Sequence, residues 1–205
     1  MATSLEENRA MKEYHLNSPF TEEDIRQLRV GDVVYFDGLL FGIRDLTQIY
    51  MFDQHHDPPV SLAGAPCIHT APSLRKVDGK WEKICIGTTT STRMERFTPG
   101  LICKYGVRAI IGKGGLYQGS LEAMQKCGAV YLAIVGGAAA LETQQIEAVE
   151  AVYWEHLHPE ALYQFRVKNF GPLTVAMDSH GRNLYEEIKA EALRRLPEIY
   201  QKLGV

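Results

Sequence analysis

No apolar run in the 205-residue sequence approaches the roughly 18 residues that a membrane-spanning helix requires. Repeats and low-complexity tracts are also missing, and the near-average composition argues against disorder, collagen and coiled coil. Met1–Tyr14 mixes Glu6, Glu7, Arg9, Lys12 and Glu13 with few apolar residues, the pattern of neither a signal peptide nor an anchor, so a cytoplasmic protein is expected. Cysteine is sparse: Cys67, Cys85, Cys103 and Cys127 are too far apart in sequence for a CxxC clip. Without a secretory signal, reduced and mostly buried thiols are expected rather than disulfides. The histidine pairs His55/His56 and His156/His158 lack the setting of a ligand set, and no metal site is expected on this chain. An overall basic excess is lacking too, since the net charge is −3, which argues against a nucleic-acid partner.

What is present is an ordinary globular balance, 45% hydrophobic and 23% charged, of a length that suits one domain. The modest charge conceals a division. From Arg75 to Lys113 nine basic residues stand against three acidic ones, a local +6 that leaves −9 elsewhere. Such a stretch concentrates a small anion, although a solvated basic face would read the same way.

Residues 1–15 read as a charged extension. Thr21–Asp24 has the capping-box pattern and opens a short helix ending before Gly31. Asp37-Gly38 between two β-rich runs predicts a hairpin. Strands are expected at Pro66–His69 and Lys83–Gly87, with a turn at Asp78-Gly79. From Val107 onward strands and helices alternate: strand Val107–Ile111, helix Leu121–Lys126, strand Ala129–Val135, helix Leu141–Val149 and strand Leu173–Met177. A long amphipathic helix follows over Asn183–Leu203, with Leu184, Ile188, Ala192, Leu196 and Ile199 on one face and a bend or restart at Pro197. The fold class is α/β, with more than one sheet expected.

Four constellations can carry chemistry. Arg44-Asp45 stands where a strand gives way to a turn; the Arg can present a planar fork to a carboxylate while Asp45 holds it, or the two form a surface ion pair. Gly87–Met94 holds five consecutive hydroxyl residues, Thr88 to Thr92, followed by Arg93. Hydroxyls and free N–H groups at a helix N-terminus bind anions, with Arg93 one turn on from Thr89; a well-capped structural helix is the other reading. Gly112-Lys113-Gly114-Gly115 follows an apolar strand, suiting a small anion at a carboxyl strand end, but its spacing and the absence of a hydroxyl after the Lys depart from a nucleotide loop. Gly136–Ala140 allows close backbone approach, to a ligand or to a packed helix.

Taken in order with Phe170-Gly171-Pro172-Leu173 and Asp178–Gly181, these motifs resemble the β subunit, or C-terminal domain, of the iron–sulfur hydro-lyases: class I fumarate hydratase and L(+)-tartrate dehydratase. The resemblance runs from about Leu16 to about Tyr200, and hence over a domain at 16–205. It implies a swivelling β/β/α domain that completes its active site with an α subunit, as part of a hetero-oligomer. It also implies a [4Fe-4S] cluster ligated by that partner rather than by this chain, with one iron acting as a Lewis acid on the substrate hydroxyl. By the same resemblance Arg44, Arg93 and Lys113 bind a small dicarboxylate, Thr89 abstracts a proton, and Asp45, Thr90, Gly112 and Gly114 support them.

Two positions depart from the family's motifs. Thr88 stands where the family has Pro, and Gln48 where it usually has His, a group that can exchange a proton near pH 7 when Gln cannot. The leading expectation is a hydro-lyase β subunit acting on malate or tartrate. The alternative is a degenerate paralogue that keeps the anion pocket as a regulatory subunit, and a third is a phosphate-binding enzyme built on Gly112–Gly115.

Overall fold

The computed structural model describes residues 9–135, 137 and 140–204. In chain order the elements are β1 Glu13–Asn17, α1 Glu22–Arg26, β2 Val33–Ile43, α2 Asp45–Phe52, β3 Pro66–His69, β4 Ser73–Val77, β5 Lys80–Cys85, α3 Thr98–Cys103, β6 Ala109–Gly112, α4 Gln118–Cys127, β7 Val130–Ala133, β8 Ile146–Tyr153, β9 Leu162–Met177 and α5 Leu184–Leu203. Among the described residues no helix is long and apolar enough to cross a membrane.

One seven-stranded sheet orders its strands β1-β2-β3-β6-β7-β9-β8, and β9 also pairs with β2. That second pairing closes β2, β3, β6, β7 and β9 into a barrel-like ring. The run β2-β3-β6-β7 is parallel, while β9 meets both β2 and β7 antiparallel. Side chains alternate between the two faces of each strand. Ala109, Ile111, Val130 and Leu132 therefore join one core with Ile68, Phe165 and Val167, while Ile110 and Tyr131 face a second core that includes Leu101, Leu121 and Met124 of the helices. The β4–β5 hairpin forms a separate two-stranded sheet. The structure is thus a single α/β domain with a barrel-like sheet and flanking helices.

Several expectations hold. Thr21 caps α1 with the reciprocal Asp24 bonds of a capping box. Asp78 and Gly79, both at positive φ, turn β4 into β5. Others are corrected. Asp37-Gly38 does not turn the chain, because β2 runs straight through it and pairs along its length with β9. Gly38 instead marks a register shift at φ +110°, where a Cβ would lie 2.6 Å from the Ser18 carbonyl. The helix expected over Leu141–Val149 is a 3₁₀ turn, Glu142–Gln145, followed by β8, whose pairing with β9 overrides local propensity. Pro197 does not restart the last helix, which continues to Leu203. Cys103 and Cys127, expected as free thiols, form a disulfide, because packing of α3 against α4 brings their C-terminal ends to a Cα separation of 5.7 Å. Gly136, Ala138 and Ala139 of the Gly136–Ala140 motif lie outside the described residues.

Candidate active site

Because β2, β3 and β6 are parallel, their carboxyl ends share one edge of the barrel, where ligands of α/β sheets gather. Arg44 follows β2, His69 ends β3 and Lys113 follows β6. The hydroxyl-rich loop threads between the last two. Thr88 bridges Thr70, the Thr89 N–H donates to the His69 carbonyl at 2.8 Å, Thr90 bridges Lys113, and the Ser91 N–H donates to the Lys113 carbonyl at 2.9 Å. Thr89, Thr90 and Lys113 are brought together through the backbone. The helix expected to start in this loop is only a four-residue 3₁₀ turn, Ser91–Met94, too short to offer the helix terminus that the hydroxyl run suggested.

Arg93, on that turn, donates from Nη2 to Asp45 Oδ2 at 2.7 Å. Arg44 Nε lies 3.4 Å from the same Asp45 oxygen and 3.4 Å from Glu160 Oε1. Glu160 also accepts the Leu46 N–H at 2.7 Å, placing its carboxylate at the start of α2. Asp45 therefore links both arginines, while Arg44 sits between two carboxylates. Lys113 forms no side-chain hydrogen bond or ion pair among the described residues. Gly114, at φ +82°, turns the chain away after it.

Beneath the loop lies a buried polar chain absent from the expectations. His69 Nδ1 meets Ser91 Oγ at 2.9 Å, and Ser91 Oγ meets the Tyr131 hydroxyl at 2.9 Å. The three pack against Gly112, where a Cβ would stand 2.0 Å from Ser91 Oγ. Burial pushes the His69 imidazole down to about 3, so it is neutral at physiological pH, and its Nε2 finds no partner among the described residues. Burial likewise raises the Tyr131 phenol. The sequence signal for this chain was slight: a histidine closing an apolar strand and a tyrosine within another.

Glu95 is marked in the sequence by no motif of its own. Its carboxylate accepts the Tyr117 N–H at 2.8 Å, the Ser120 N–H at 2.9 Å and the Ser120 hydroxyl at 2.7 Å. The Glu95 carboxylate thus sits at the start of α4, where a bound phosphate would lie, which counts against a phosphate loop at Gly112–Gly115. Both departures from the family motifs are inside the protein. Gln48 is fully buried, donating from Nε2 to the Arg44 carbonyl at 3.3 Å, and Thr88 is buried with its hydroxyl unpartnered among the described residues.

Phe170-Gly171-Pro172-Leu173 lies within β9, and Asp178 accepts the N–H groups of Val30, His180 and Arg182. Both motifs organise the scaffold.

Comparison with known proteins covers nearly the whole chain. A protein of Geobacillus stearothermophilus named as a class I fumarate hydratase is 43% identical over 185 residues, 89% of this chain; the chain spans only 35% of that relative's length. The L(+)-tartrate dehydratase subunit beta of Escherichia coli K12 is 38% identical over 189 residues, 92% of this chain and 94% of its own length. A Methanocaldococcus jannaschii protein named as an L(+)-tartrate dehydratase subunit beta is 38% identical over 192 residues, 91% of this chain and 98% of its own length. The Fumarase C-terminus family matches residues 2–188, a span that holds the Arg44–Asp45–Arg93 ion pairs and Lys113 alike, and the chain belongs to that family.

Proposed function

We propose that the chain is the β subunit of a hydro-lyase that reversibly dehydrates a small hydroxy-dicarboxylic acid, malate to fumarate or L-tartrate to oxaloacetate. The observation that carries this reading is the gathering of Arg93, Lys113 and the Thr88–Thr90 loop at the carboxyl ends of β3 and β6. A dicarboxylate placed there meets the Lys113 ammonium and competes with Asp45 for the Arg93 fork, with Arg44 behind. Removing a proton beside a carboxylate builds negative charge, which fixed cations stabilise as it develops. Thr89, tied to β3 through its backbone N–H, is the group assigned to that proton transfer, for which its hydroxyl must first pass its own proton to solvent or to a group of the partner. Thr90, Gly112 and Gly114 hold the loop and Lys113 in register.

A [4Fe-4S] cluster enters this reading only as a group of the partner. Cys103 and Cys127 are joined, and Cys67 is sealed in the core with its thiol pKa raised by burial. No group of three or more His, Cys, Asp or Glu among the described residues could hold a metal ion. The steps assigned here are therefore those of this chain's own side chains. Leu46, Tyr117, Val135 and Leu141 leave large apolar surface exposed after β2, before α4 and after β7, as a rim to be covered by an α subunit would. Rotation of a swivelling domain onto that partner belongs to the same proposal.

Coexpression with an α-type chain under anaerobic conditions tests it. The complex should dehydrate malate or L-tartrate, and the isolated chain should not. Activity of the isolated chain, or an active-site-intact complex inert toward both acids, overturns the reading. Inertness of the complex would favour the alternative of a degenerate anion-binding subunit, for which the buried, non-titrating Gln48 is the supporting observation.

A further inference from the structure

α5 has twenty residues, and none of them is buried. Leu184 and Tyr185 rest against the helix-side core, after which the helix leaves the domain. About 30 Å of helix is thus built with little tertiary support. Its internal support is small. Ion pairs Lys189–Glu186, Arg194–Glu191, Arg195–Glu191 and Lys202–Glu198 lie on the exposed surface, where such pairs contribute little. Pro197 inside the helix lacks an N–H to donate to the turn before it and crowds that turn, a cost that outweighs those pairs. Such a helix persists only if its apolar face is covered.

That face exists and is exposed. Ile188, Ala192, Leu196, Ile199 and Leu203 recur at the helical period, with Leu193 and Tyr200 beside them; Ile188 is 60% and Leu203 69% exposed. None of these residues frames the candidate active site.

We infer that α5 is a self-association helix that pairs antiparallel with α5 of a second copy of this chain about a two-fold axis. The helix is divided in charge. Its first half, through Leu193, holds Glu186, Glu187 and Glu191 against Lys189, a net −2; its second half holds Arg194, Arg195 and Lys202 against Glu198, a net +2. Antiparallel pairing sets each negative half against a positive half, whereas parallel pairing sets like against like. The apolar stripe is self-complementary in the same register. With the axis near Arg194, Ile188 faces Tyr200 of the second copy, Ala192 faces Leu196, and Glu186 faces Lys202. A two-fold contact requires this kind of reciprocity.

Sedimentation equilibrium of the full chain alone provides the test. The wild-type chain should be a dimer at low micromolar concentration, and Ile188→Glu with Ile199→Glu should make it a monomer whose barrel unfolds at an unchanged temperature. Because these substitutions can also melt α5, a charge exchange keeps the pairing of the two helices testable. A copy carrying E186K and E187K, and another carrying R195E and K202E, should each dimerise weakly alone and associate when mixed. A wild-type monomer, a dimer untouched by the double substitution, or charge variants that fail to associate on mixing would overturn the inference. So would a stripe whose loss abolishes only copurification of an α-type chain.

Discussion

Asp45 Oδ2 accepts from Arg93 Nη2 at 2.7 Å across 48 residues of sequence, tying the first turn of α2 to the loop that carries the hydroxyls. Both side chains are partly exposed, so the pair adds little to stability. Its consequence is positional: it aims the fork of Arg93. Asp45→Ala should lower kcat/KM of the coexpressed complex about tenfold, roughly 1.4 kcal/mol, with no change in melting temperature. Steady-state kinetics with calorimetry on the same preparation checks both halves of that statement.

Arg93→Lys keeps the charge and removes the fork, while Lys113→Met removes a cation that no described carboxylate neutralises. Each should cost about 100-fold in kcat/KM, roughly 2.7 kcal/mol. Added salt should raise KM in the wild-type complex, and by less in the Lys113→Met complex. Equal salt dependence in the two would remove Lys113 from the anion site.

His69 carries a pH signature. Its folded pKa, about 3, lies below the ordinary histidine value near 6.5. The unfolded chain therefore binds the extra proton first as pH falls. The stabilising contribution is complete above about 6.5 and is lost toward 3, at up to about 1.4 kcal/mol per pH unit. Thermal unfolding between pH 7 and pH 4 should fall less steeply in His69→Gln than in wild type.

Gly112→Ala would drive a methyl group into Ser91 Oγ. Overpacking of this kind costs about 1–3 kcal/mol, and the displaced Ser91 would carry the Thr89–Thr90 segment with it. Denaturant titration should show the lost stability, and Ser91→Gly in the same chain should restore most of it by vacating the space.

The Cys103–Cys127 bond closes a loop of 24 residues in sequence. Reduction should lower stability by about 3 kcal/mol in the chain-entropy view. Mass spectrometry of alkylated protein before and after reductant checks the pairing, and melting curves check the effect.

Local chemistry was legible where it decides structure locally. The Thr21–Asp24 box, the Asp78-Gly79 turn and the apolar strands at residues 66–69 and 109–112 all form as their residues dictate. The same dipeptide misled at Asp37-Gly38, because a strand 16 residues long pairs across it and no local signal announces a partner more than a hundred residues away. β8 departs from its local helical signal for the same reason. At the site, Arg44, Asp45, Arg93 and Lys113 stood out by type and by the order of their motifs. Glu160, Glu95 and Tyr131 did not, because each is a common residue given its importance by distant contacts, and Ser91 stood out only as one of five hydroxyls, not as the link between His69 and Tyr131. The disulfide belongs with them: 24 residues of separation say nothing until α3 and α4 are packed.

β9 touches β2, β7 and β8 at once, and it alone makes the barrel a ring. Every side chain proposed to meet the substrate lies between residues 44 and 113, well before it in the chain. During synthesis the parts of the site are therefore made first and left with open strand edges. Only when residues 162–177 have emerged can β2 and β7 lose those edges. A chain stopped short of β9 would hold every proposed catalytic residue and still present two adhesive borders, so its expected fate is aggregation rather than weak activity.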